Sequence, residues 1–191
     1  IENNVKTTSG NNITFEIGGT LQFTQTPQIN ANLTINVQDS GILRAGATGE
    51  NNFSFNGSTN TLTNNGTVQV SVLQFLNSSS TNIIDNYDTL TIGSNINIQG
   101  NTTFRNWQTI NIGQSYNNNA TSTYINCGTI NSSSGFNLGG GRVINTGNFN
   151  IGSGQIDLSG GTLDNYGTLL STGSINGTGA SIFYNEGLAK I

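Results

Sequence analysis

The side chains able to do chemistry in this chain are few and scattered. Its 191 residues include no His, one Cys, five Lys or Arg and nine Asp or Glu. Acid–base catalysis and calcium binding both need carboxylates brought together, often with an Arg, Lys or His beside them. The acids here are Glu2, Glu16, Asp39, Glu50, Asp85, Asp88, Asp157, Asp164 and Glu186, most of them far apart. Asp85 and Asp88 could share a cation, but Asp85 also has a natural partner in Arg105, with which it is expected to form a surface ion pair. Cys127 stands alone, which excludes an internal disulfide framework and a Cys-based zinc site. The runs Gly139-Gly140-Gly141 and Gly152-Ser153-Gly154 precede no helical pattern that would aim an N-terminus at a phosphate, so they read as turns. No catalytic, cofactor or metal site is expected, and the chain reads as a non-enzyme.

What would position any such residue is a repeat. The stretch Leu163-Asp164-Asn165-Tyr166-Gly167-Thr168-Leu169 has close relatives upstream, among them Tyr124-Ile125-Asn126-Cys127-Gly128-Thr129-Ile130 and Leu62-Thr63-Asn64-Asn65-Gly66-Thr67-Val68. Its central Asn falls at Asn64, Asn86, Asn106, Asn126, Asn145, Asn165 and Asn185, a step of 19 to 22 residues. Strand-like alternation inside each unit, without helical periodicity, identifies an all-β chain folded as a single parallel β-helix, a β-solenoid of about 20 residues per coil. Coils stacked at the strand spacing of about 4.8 Å would make a rod of roughly 40 Å. One domain over 1–191 is expected, with irregular amino-terminal coils or a cap at 1–60 and regular coils from 61. In the irregular part the template places Ile17 and Asp39 at the Asn position, with Pro27 at a bend or edge between them.

Parity then assigns the side chains. One inward column holds Leu62, Ile84, Phe104, Tyr124, Val143, Leu163 and Phe183, and a second holds Val68, Leu90, Ile110, Ile130, Phe149, Leu169 and Ala189. A third face is carried by Ile96 and Ile98, Phe136 and Leu138, Ile156 and Leu158, and Ile175. The inward Asn column predicts a ladder at one corner, in which each carboxamide donates to the next coil and accepts from the previous one. The Gly two residues after the Asn lets the chain turn tightly; Asp88 and Gln108 replace it in two coils.

Two outward columns are candidate ligand surfaces. Tyr87 and Trp107 directly follow ladder residues in neighbouring coils and could stack on a sugar ring, making a glycan a candidate ligand. After the corner come Thr89 and Thr91, then Thr109 and Asn111, ranks of the kind that could order water or meet ice. A net charge of −4 with scattered cations leaves no basic stripe, so nucleic acid is excluded as a partner. No apolar run is long enough for a membrane-spanning helix, so membrane insertion is not expected; no signal segment opens the chain, which begins like a processed or excised piece.

The run from Asn165 through Gly167-Thr168-Leu169 to Gly179, followed by Phe183-Tyr184-Asn185-Glu186-Gly187, resembles the repeats of bacterial secreted β-helix surface proteins, the filamentous-haemagglutinin-like and autotransporter-passenger adhesins. The resemblance covers about residues 60–191 and implies a right-handed parallel β-helix displayed outside the cell. The expectation is therefore a non-catalytic extracellular structural solenoid, a cell-surface adhesin segment or a filament-forming subunit. The alternative is a carbohydrate- or ice-binding module using one face. The last repeat stops in mid-coil, so either the chain continues or subunits self-associate through open coil ends.

Overall fold

A computed structural model describes residues 11–118 and 121–191. Thr81–Asn86, Thr89–Ile92 and Ile96–Ile98 show how one coil is made: three short strands separated by corners of two or three residues. Each strand pairs in parallel with its counterpart one coil away, as in Ile84 with Leu62 on one side and Phe104 on the other. Stacking the coils generates three parallel sheets of nine, nine and eight strands among the described residues. The fold is a β-solenoid of about 20 residues per coil, and the described residues contain no helix.

Strict alternation explains why the chain takes this form. Asn101–Asn106 runs exposed or half-buried at Asn101, Thr103 and Arg105 and buried at Thr102, Phe104 and Asn106. Each inward side chain rests on its equivalents above and below. Phe55 lies on Phe75 with centroids 4.6 Å apart, and Tyr116 lies on Phe136 at 4.4 Å, both pairs nearly parallel. The predicted inward columns are buried from Leu62 to Leu169, while Phe183, in the last described coil, remains partly exposed. Removing the Leu169 side chain beyond Cβ would cost about 2–5 kcal/mol, the usual range for a fully buried leucine.

Two features depart from the sequence expectation. Asp39 does not occupy the Asn position: Val37 does, paired with Ile17 on one side and Asn64 on the other. Ile17 is where it was expected. The corner after Val37 takes four residues rather than two, closed by a bond from Gly41 N to Gln38 O of 2.7 Å, so Asp39 is carried out into solvent. The same coil carries a longer excursion between Ala45 and Phe53, where Gly46 and Gly49 adopt φ of 90° and 85° and the Glu50 carboxylate accepts the N–H groups of Ala47 and Thr48. The irregular segment at 1–60 is thus made of true coils from Asn12 onward, and residues 1–10 lie outside the described residues.

The third face also holds residues that the repeat did not reveal. Tyr116 occupies the column of Ile96 and Phe136, and Asn118 that of Ile98 and Leu138. The hydroxyls of Tyr116 and Tyr124 are buried without a hydrogen-bond partner, and burial drives both phenols well above their usual range.

Candidate functional site

The Asn ladder forms as expected, in the expected direction. Asn64 Nδ2 donates to Asn86 Oδ1 at 2.7 Å, and the pattern repeats through Asn106, Asn126, Asn145 and Asn165 to Asn185 at 2.7–2.8 Å. Each Nδ2 also reaches backbone carbonyls. For Asn126 these are Gly128 O at 3.2 Å and Asn148 O at 3.0 Å. The corners beside the ladder are packed backbone on backbone: a Cβ placed on Gly128 would stand 2.1 Å from Gln108 O, and one on Gly147 2.1 Å from Gly128 O. Glycine is required there by contact, since such a carbon has nowhere to go.

Asp88 and Gln108 therefore mark coils whose corner is shaped differently. At the corners of Gly128, Gly147, Gly167 and Gly187 two successive N–H groups converge on one Asn carbonyl, as Cys127 and Gly128 do on Asn106 O at 2.8 and 3.2 Å. In the two coils without Gly only the first of these N–H groups donates to the Asn carbonyl: Tyr87 N to Asn64 O and Trp107 N to Asn86 O, both at 2.8 Å. Their rings project outward, each 44% exposed, parallel to within 3° and 6.2 Å apart between centroids. Further along the same column Cys127 is exposed. Tyr166 packs instead on Tyr184, the rings tilted by 59°.

The same two coils hold the expected ion pair. Arg105 grips Asp85 with a two-pronged contact, Nε to Oδ1 at 2.5 Å and Nη2 to Oδ2 at 2.7 Å, and this raises the Arg105 pKa further. A second pair, Arg142 to Asp164 at 2.6 Å, escaped the sequence reading because the partners are diagonal: Arg142 pairs in register with Thr162, not Asp164. Asp164 points outward, as parity required, yet is buried. Diagonal reach across neighbouring strands is ordinary for a long side chain.

Several of the remaining acids also have polar partners. Asp88 accepts from the Thr89 hydroxyl at 3.2 Å, so the Asp85–Asp88 pair is divided between different partners. Glu16 accepts from Asn36 and Gln38, and Asp157 from Ser159. Among the described residues no three His, Cys, Asp or Glu side chains group so as to hold a metal ion.

The second face brings together the other predicted positions. Thr67, Thr89, Thr109 and Thr129 pair in strict register, and beside them run Gln69, Thr91, Asn111 and Asn131. The outer rank is itself partly laddered: Asn131 Nδ2 donates to Asn111 Oδ1, and Asn150 Nδ2 to Asn131 Oδ1, both at 2.9 Å. These carboxamides are held to one another and arrayed at strand spacing. Tyr87 and Trp107 stand at the corner immediately before Thr89 and Thr109, so both candidate surfaces border one edge of the rod. Chemically, this edge can stack on apolar rings and exchange hydrogen bonds, with no nucleophile–base pair among the residues described. No protein-family model matches the chain, and no curated protein and no solved structure matches it.

Proposed function

We propose that this chain is a structural β-solenoid that works outside the cell as a rigid segment of a surface adhesin or as a subunit of a filament. The observation that carries the reading is the uninterrupted Asn ladder from Asn64 to Asn185, running beside a core continuous through every coil. A chain built this way invests its buried polar groups in coil-to-coil register, which is what stiffness along an axis requires. Its acids support the same reading, since Asp85, Asp164, Glu50 and Glu16 hold neighbouring parts of the solenoid together. In the last described coil Phe183, which stands in an inward column above Leu163, is left 38% exposed. A following coil, from the same chain or from a second copy, would cover it and pair with the strand edge.

Negative-stain electron microscopy of the native material at several concentrations tests the rod. Stiff particles, single or joined end to end in unbranched filaments, are expected; compact or branched particles would sink the proposal. Placement outside the cell is tested separately, by antibody labelling of intact cells that make the protein. Staining that appears only after permeabilisation would remove the extracellular part.

The second reading, a ligand-binding face, is favoured by the Thr67–Thr129 rank and its laddered Asn neighbours. Replacing Thr89 and Thr109 with Tyr would disrupt an ice-binding array, and unchanged thermal hysteresis in such a variant would exclude this face.

A further inference from the structure

Two adjacent coils depart from the repeat at the same positions, and the departures lie together. Elsewhere the residue two after the ladder Asn is Gly, at 66, 128, 147, 167 and 187; in these coils it is Asp88 and Gln108. The residue before each is aromatic, and the only Trp in the chain is one of the two. Two residues earlier stand Asp85 and Arg105, joined as an ion pair. A corner that admits side chains here, and rejects a Cβ at Gly128, Gly147, Gly167 and Gly187, has been rebuilt locally. The rod does not require the change, because neighbouring coils close the same corner with Gly.

We propose that Tyr87, Trp107, Asp88, Gln108 and Arg105 form a binding site for a neutral pyranose of a surface or extracellular glycan. The two exposed rings are stacked parallel to one another and leave an apolar platform open to solvent, and the C–H face of a pyranose packs on such a surface. Asp88 and Gln108, one acceptor and one carboxamide at the edge of that platform, are the groups that would take the sugar hydroxyls. Arg105 is fixed by its fork with Asp85 while its side chain stays 38% exposed, so it enters the site as an oriented donor. Size decides against a protein partner: stable protein interfaces bury about 800 Å² on each side, around an apolar centre. Here the apolar surface is two rings bordered by Asp88, Gln108 and half-buried threonines. Charge decides against an acidic sugar, since Asp88 lies at the platform and the chain carries a net charge of −4. The site goes beyond the rod reading, which needs no ligand, and its test on purified protein leaves the rod untouched if it fails.

Trp107 reports on the site directly, being the chain's sole indole. The native chain is titrated with chitotetraose, cellotetraose and mannotetraose to about 10 mM, reading Trp emission, because a shallow platform is expected to bind with Kd near ~1 mM or tighter. A saturable blue shift with at least one probe is expected, weakened about tenfold in Tyr87→Ala. The double variant Asp88→Gly with Gln108→Gly restores the corner used by other coils and so keeps the fold. It is expected to weaken binding about tenfold as well, while the emission of the free protein stays that of a folded chain. No saturable shift with any of the three probes, or an affinity unchanged in Tyr87→Ala, overturns the site. Loss in Tyr87→Ala with full affinity in the double-glycine variant overturns the role given to Asp88 and Gln108.

Discussion

Replacing Asn126 with Ala should expose how the ladder stabilises the rod. Asn126 is fully buried; it accepts from Asn106 Nδ2 at 2.8 Å and donates to Asn145 Oδ1 at 2.7 Å. The damage is unequal on its two sides. Asn106 Nδ2 keeps Gln108 O at 3.0 Å and Thr129 O at 3.2 Å, so it remains satisfied. Asn145 Oδ1 loses its carboxamide donor in a site with no access to water. An orphaned buried acceptor costs about 1–3 kcal/mol, and the space left by the carboxamide adds about 1 kcal/mol. The expected loss is about 2–4 kcal/mol.

Asn185→Ala is the control. It receives from Asn165 Nδ2, which retains Gly167 O and Leu188 O, and no described carboxamide oxygen depends on Asn185 as donor. Its loss should stay under about 1 kcal/mol. Asn126→Val separates volume from hydrogen bonding, since Val37 already occupies this column one coil before the ladder begins, and most of the loss should persist in it. The assay is urea unfolding followed by Trp107 emission, where an unchanged m-value and a midpoint lowered by about 1 M are expected for Asn126→Ala. Equal midpoints for Asn126→Ala and Asn185→Ala, or full stability in Asn126→Val, would refute the account.

Two further outcomes follow from groups the ladder does not involve. Tyr124→Phe and Tyr116→Phe remove buried hydroxyls that have no partner, so each should raise stability by about 1 kcal/mol in the same urea experiment; a loss in either variant would mean that the hydroxyl is satisfied in solution. Because burial raises both phenols above the ordinary value of 10.0, the folded chain holds protons that the unfolded chain releases, and stability should fall as pH rises beyond that value. Ultraviolet titration should show these two tyrosines ionising only on unfolding. Glu50 shifts the other way, from 4.5 to about 2, chiefly through the Thr48 N–H, with its own N–H and that of Ala47 adding to the effect. Its contribution is present above 4.5 and lost as pH falls toward 2, so the protection of the Ala47 and Thr48 amides, measured against their intrinsic exchange rates, should fall over that interval. Protection that is constant down to pH 2 would show that the carboxylate does not hold the loop.

Regular coils were legible in the sequence because burial repeats with the fold: every rung of the ladder and most inward positions from Leu62 onward could be named from spacing alone. Asp39 was misplaced for a physical reason. Asp39-Ser40-Gly41-Ile42-Leu43 imitates the Asn-x-Gly-Thr-Leu unit after the corner, and Ile42 and Leu43 do pair with Thr67 and Val68. The wider corner before them inserts two residues that pattern matching cannot locate. Tyr116 and Asn118 were missed because a tyrosine and an asparagine in an aliphatic column look like surface residues. The Arg142–Asp164 pair was hidden by its diagonal geometry. The Tyr87 and Trp107 pair was visible as a column, but the rebuilding of the corner around it became apparent only when the neighbouring glycines were seen in backbone contact.

The ladder also gives the molecule a direction. Every rung of the ladder, Asn64, Asn86, Asn106, Asn126, Asn145 and Asn165, donates the same way along the axis, so the dipoles of this column add like a file of aligned arrows. At one end of the file stands a valine, and at the other an asparagine amide that bonds to Gly187 O of its own coil at 3.0 Å. Whatever coil sits beyond Asn185 extends the file only if it offers an acceptor at this corner. Two copies meeting tail to tail would set donor against donor. Any assembly that continues the ladder is therefore a polar one, with distinct ends, growing in a sense that the first coil already fixes.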